Sequence, residues 1–123
     1  MSSSVGVFIG TVMPLAELAK EAGELLGLKF EYQKDEYDEW YAVRTEEGLI
    51  DIGAHELDND RDMNFEDYKY EIRFWVNRDK EPEEREMLQQ DVGSRIFKKL
   101  KATRQYPLMY VYDNQQKLDG YSP

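Results

Sequence analysis

Nine residues, Tyr68-Lys69-Tyr70-Glu71-Ile72-Arg73-Phe74-Trp75-Val76, alternate apolar and polar side chains more regularly than any other stretch of this chain. Successive side chains of an extended strand point to opposite faces of its sheet. One face of the run is therefore wholly apolar, and the other carries Lys69, Glu71, Arg73 and then Trp75. A strand of this kind is stable only with partner strands and a cover for its apolar side. The rest of the chain has to supply both. Trp75 interrupts the charged face, and partial burial is expected for it.

The partners and the cover are both legible. Val5 to Ile9 is a short apolar run and predicts a strand. Pro14 suits a first helical turn, and Leu15, Leu18, Ala19, Ala22, Leu25 and Leu26 recur at helical spacing up to Gly27, a C-terminal stop. Leu28, Phe30 and Tyr32 then alternate with polar residues; Trp40 to Arg44 and Ile50 to Ala54 follow after charged turns. These three segments predict an antiparallel meander. Glu56 to Asp67 reads as a loop. A second helix starts within Asp79 to Glu84, carries Leu88, Val92, Ile96 and Leu100, and ends near Thr103. Leu108 to Tyr112, apolar on both faces, predicts a central strand. Asp113 to Pro123 reads as a turn or a frayed helical tail. The expected architecture is one α+β domain over residues 1–123, a two-layer sandwich. Its sheet would be mixed but mostly antiparallel, of about six strands, with two helices on one face. The strand–helix–strand unit at each end predicts a right-handed crossover.

Charge is unevenly spread. The chain has 26 acidic and 16 basic residues among 123, a formal net charge of −10. Residues 31–67 alone hold 14 acidic and 3 basic side chains, net −11, whereas residues 68–123 hold 9 acidic and 11 basic, net +2. Nucleic acid is a poor partner for such a field. The basic run Arg95, Lys98, Lys99, Lys101 and Arg104 sits where cations complement a helix C-terminus. With no cysteine and one histidine, thiolate chemistry and multi-histidine metal sites are excluded. No run reaches the ~20 apolar residues a membrane helix needs. The start Met1-Ser2-Ser3-Ser4 has no basic leader pattern, so a cytoplasmic location without membrane attachment is expected.

No stretch carries a catalytic signature, and no enzyme activity, cofactor or metal is expected. The loop Asp58 to Glu66 places oxygen-bearing residues at positions 1, 3, 5, 7 and 9 of a calcium loop, but Met63 stands where the turn glycine belongs and Lys69 where the bidentate glutamate belongs. It reads as an acidic surface loop. His55 ends a strand without a second histidine and reads as packed or capping. Ser94 has no evident His–Asp pair. Function is therefore sought in binding. Asp35-Glu36-Tyr37-Asp38-Glu39-Trp40 alternates carboxylates with rings, a composition suited to a protein interface: rings give contact area and carboxylates steer a basic partner. These six residues are the expected partner contacts, with Asp58, Asp60 and Asp62 second.

The run Leu15-Ala16-Glu17-Leu18-Ala19, leading to Leu25-Leu26-Gly27-Leu28 and Phe30 and then to the acidic stretch ending Trp40-Tyr41-Ala42, resembles small immunity proteins of bacterial polymorphic-toxin and contact-dependent inhibition systems. The resemblance covers roughly the first 45 residues and is one of pattern. The basic second helix and Pro107-Leu108-Met109-Tyr110 depart from it. It implies a non-enzymatic protein that binds a cognate toxin domain, such as a basic nuclease, and blocks it. Two alternatives use the same carboxylates: a nucleic-acid mimic that inhibits a nuclease, and a small ligand-binding or enzymatic domain that also uses His55.

Overall fold

The computed structural model describes residues 4–123; Met1 to Ser3, part of the leader reading, lie outside them. The elements run β1 (Ser4–Ile9), α1 (Leu15–Leu26), β2 (Glu31–Lys34), β3 (Glu39–Arg44), β4 (Gly48–Ala54), a 3₁₀ turn (Phe65–Asp67), β5 (Tyr70–Val76), α2 (Pro82–Thr103), β6 (Leu108–Tyr112) and β7 (Gln116–Tyr121). The α+β class stands. The sheet has seven strands, in the order β2-β3-β4-β5-β1-β6-β7. The additional strand is β7, where a turn or helical tail was expected. Asp113 and Asn114 adopt left-handed backbone, turning the chain back so that Gln116–Tyr121 pairs with β6.

Every neighbouring pair in this sheet is antiparallel, so the expectation of a mixed sheet is corrected. The reason lies in β1. It pairs with β5 on one side and β6 on the other, antiparallel to both. β5 and β6 thus point the same way, and α2 connects them across the sheet, but β1 is inserted between them. The α1 connection likewise joins like-directed strands, β1 and β2, with three others between. Both crossovers skip over strands, so no parallel pair forms.

Both helices cover one face. Val5, Val7 and Ile9 of β1, Ile50 and Ile52 of β4, Tyr70, Ile72 and Phe74 of β5, and Leu108 and Tyr110 of β6 pack against Leu18, Ala19 and Ala22 of α1 and Val92, Ile96, Phe97 and Leu100 of α2. Gly93 lets α2 come close: a Cβ there would stand 2.8 Å from Val5 and 2.5 Å from the Tyr110 hydroxyl. Gly27, at φ 68°, closes α1 in the left-handed conformation that glycine adopts without strain.

The opposite face is covered only in part. Phe8, Met109 and Val111 point to it and meet Met63 and Phe65 of the loop before β5. β1 is consequently buried on both sides. Beyond that loop lies open sheet, bearing Trp40, Asp51, Arg73 and Trp75.

Candidate functional site

The β2–β3 hairpin places Tyr32 opposite Tyr41 and Lys34 opposite Glu39. Its turn is held by Asp35, whose Oδ1 accepts the backbone N–H groups of Tyr37 and Asp38, each at 2.8 Å. The bonds from Asp38 and then Tyr37 hold the Asp35 carboxyl below its ordinary value. Asp35, Glu36, Tyr37, Asp38 and Glu39 are exposed, while Trp40 is half-buried. Tyr37 is 85% exposed, an unusual position for a ring of that size. The Tyr32 hydroxyl donates to Glu39 at 2.8 Å, and this bond raises the Tyr32 pKa. The Tyr32 and Tyr41 rings pack edge to face, 5.4 Å apart.

Behind the hairpin, on the face away from the helices, is a cleft of about 300 Å³. The hairpin contributes Asp38, Glu39 and Trp40 to one side, and His55, Glu56 and Leu57 contribute the other. The floor comes from adjacent strands, whose register sets Asp51 opposite Arg73 and Gly53 opposite Glu71. Arg73 Nε donates to Asp51 Oδ1 at 3.2 Å, and the Trp75 indole N–H donates to Asp51 Oδ2 at 3.1 Å. The Arg73 guanidinium also lies over the Trp75 ring, 5.4 Å from its centroid. Trp75 is therefore half-buried and anchored on the polar face, as expected.

Glu71 is 5% exposed. Its nearest cation, Arg73 Nε, stands 3.8 Å away. Burial pushes its carboxyl up to about 7; Arg73 opposes that rise and Asp51 adds to it. Two glycines make room here. A Cβ on Gly6 would collide with the Glu71 carboxylate, and one on Gly53 would come within 3.2 Å of the Trp40 side chain.

His55 serves the fold. Its Nδ1 accepts the Leu57 N–H at 3.0 Å, which leaves Nε2 as the donor to the Tyr68 carbonyl. Its ring meets Phe8 edge-on at 4.9 Å. Asp58, Asp60 and Asp62 are exposed on the outer part of the loop, outside the cleft. Asp60 pairs with Met63 across a tight turn in which Arg61 and Asp62 take left-handed backbone. Asn59 and Glu66 close the loop through reciprocal side-chain bonds to each other's N–H groups, at 3.0 and 3.2 Å. The Asp60 carboxylate meets Arg61 Nε at 3.5 Å, an exposed pair. No group of three acidic or histidine side chains placed to hold a metal ion occurs among the described residues.

Of the expected contacts, Asp38, Glu39 and Trp40 are brought to the cleft, whereas Asp35, Glu36 and Tyr37 form the hairpin apex beyond it. Asp51, Glu71 and Arg73 were not singled out from the sequence. Their signal was the polar half of each alternation, which in isolation reads as a solvated face. Arg95, Lys98, Lys99 and Lys101 are exposed on α2, and Arg104 at its C-cap, in the other layer. No helix among the described residues is long and apolar enough to cross a membrane. Comparison with protein-family models, with curated proteins and with solved structures finds no match to this chain.

Proposed function

We propose that the chain is a non-enzymatic binding protein that captures a basic protein partner through the β2–β3 hairpin, in the manner of an immunity protein blocking its cognate toxin. The observation that supports this reading most is Tyr37, exposed at the apex of a turn that Asp35 pre-forms, with carboxylates on either side. A pre-formed turn binds with little ordering cost. The exposed ring supplies contact area, and Asp35, Glu36, Asp38 and Glu39 supply the steering field.

The test is capture from the native host with the immobilised chain, compared with a Glu36→Lys/Asp38→Lys variant. These two side chains can be reversed while Asp35 still holds the turn. A retained basic protein should then associate roughly tenfold or more slowly with the variant at low salt, with a smaller change in dissociation. Raising the salt should slow the wild-type association in the same way. A partner held equally by both proteins, at all salt concentrations, would remove the hairpin from the interface.

A further inference from the structure

Glu71 is a carboxylate buried to 5% exposure, and its partner among the described residues is a long ion pair with Arg73 Nε at 3.8 Å. Arg73 Nε, the closest cation, is beyond hydrogen-bond reach of it and is committed to Asp51 at 3.2 Å. Such a group is costly to hold unless something pairs with it. Yet the fold keeps its place clear, through Gly6, where any side chain would strike the carboxylate. Glu71 also lines the cleft, together with Asp38, Glu39, Asp51 and Glu56, against the single guanidinium of Arg73. Five carboxylates and one cation give the lining a formal charge of −4.

We propose that this cleft binds an organic cation, a guanidinium or alkylammonium group, seated against Glu71 beside the Trp40 ring. The charge of the lining excludes an anion. A bare metal ion would need its oxygen ligands gathered at about 2.0–2.6 Å. The carboxylates instead stand around a cleft of about 300 Å³, and no metal-holding group of three is present among the described residues. A guanidinium suits this spacing, since its donors are spread over a plane that also stacks on indole. Around the cleft the charged and titratable groups are Arg73 on the strand of Glu71, Asp51 on β4, Asp38 and Glu39 from the hairpin, and His55 and Glu56 from the loop; β1 contributes no charge. A cation seated there favours the ionised carboxylate, so its binding strengthens as the pH rises through about 7. The cleft shares Asp38 and Glu39 with the hairpin, whereas Asp35, Glu36 and Tyr37 at the apex do not line it, so the apex can be tested apart from the cleft.

The experiment is a titration of the full chain with L-argininamide at pH 8, followed by amide and indole NMR shifts. Saturable shifts should centre on Trp40, Gly53 and Glu71. Glu71→Gln, close in shape, should bind at least about tenfold more weakly and lose the pH dependence. Asp58→Asn, outside the cleft, should bind as wild type. A blocked Gly-Arg-Gly peptide that binds more tightly than L-argininamide identifies a partner's side chain as the source of the cation. Equal binding identifies a free small molecule. The absence of saturable shifts, unchanged affinity in Glu71→Gln, or identical shifts with calcium chloride at the same concentration would each overturn the proposal. Unchanged protein capture in Glu36→Lys, a residue outside the cleft, with L-argininamide still bound by the wild-type chain would overturn the hairpin reading alone.

Discussion

At the scale of the residue, Glu71 concentrates the tension of this molecule. Its carboxyl rises from 4.5 to about 7 because burial disfavours the charge. Between those two values the folded chain holds a proton that the unfolded chain has released. The contribution of Glu71 to folding stability is therefore full below about 4.5 and is lost as the pH rises through about 7. The whole window is worth up to roughly 3 kcal/mol. Glu71→Gln removes the ionisation and keeps the shape. It should stabilise the protein by about 1–3 kcal/mol at pH 8 and have little effect at pH 4.5, as read from urea unfolding at the two pH values. The strict alternation around Ile72 placed Glu71 on the polar face. It did not show that Glu71 is buried there, because its carboxylate packs over Gly6 of β1, far away in the chain.

At the scale of the element, the loop between β4 and β5 does more than its composition suggests. Its acidic residues face water, but Met63 and Phe65 turn inward and close a second core with Phe8, Met109 and Val111. Phe65 is 2% exposed, and its ring centroid lies 4.9 Å from that of Phe8. Phe65→Ala should cost about 3–5 kcal/mol. Native-state hydrogen exchange should show the backbone of residues 57–68 losing protection first, with α1 and α2 still protected. The residues between Glu56 and Asp67 were legible as a loop because Asp and Asn dominate there. That the loop is an anchor was not, since two apolar side chains among so many acids have no periodicity to mark them. The same holds for Gln116–Tyr121, which reads as polar and becomes an edge strand because β6 offers it a free row of backbone groups.

At the scale of the whole molecule, charge and cover are divided between the two faces. The helices cover one face, and the exposed cations of α2 belong to that layer. The other face holds the acidic cleft, flanked by the hairpin that contributes Asp38 and Glu39 to it. A net charge of −10 is thus an acidic face set against a more basic helical layer. β1, buried on both sides, ties the two together. Unfolding should accordingly be cooperative. Helix content followed by far-UV circular dichroism and indole fluorescence of Trp40 and Trp75, which report on the opposite face, should give coincident urea transitions. Separate midpoints would mean that the cleft face opens independently of the helices.

The sequence by itself determined the α+β class, the two helices and their apolar stripes, the strand alternations and the acidic, aromatic hairpin. Each is written in side chains near one another along the chain, where a period of 2 or 3.6 shows which side must be buried. Only the tertiary structure decided the strand order, the antiparallel pairing throughout and the cleft. Those depend on where β1 inserts and on which distant loop folds over it. Gly6 and Glu71 are 65 positions apart in the chain, and their close approach is a consequence of strand pairing that no local pattern encodes. Burial is set by what covers a residue, and here the cover of the second face comes from elsewhere in the chain.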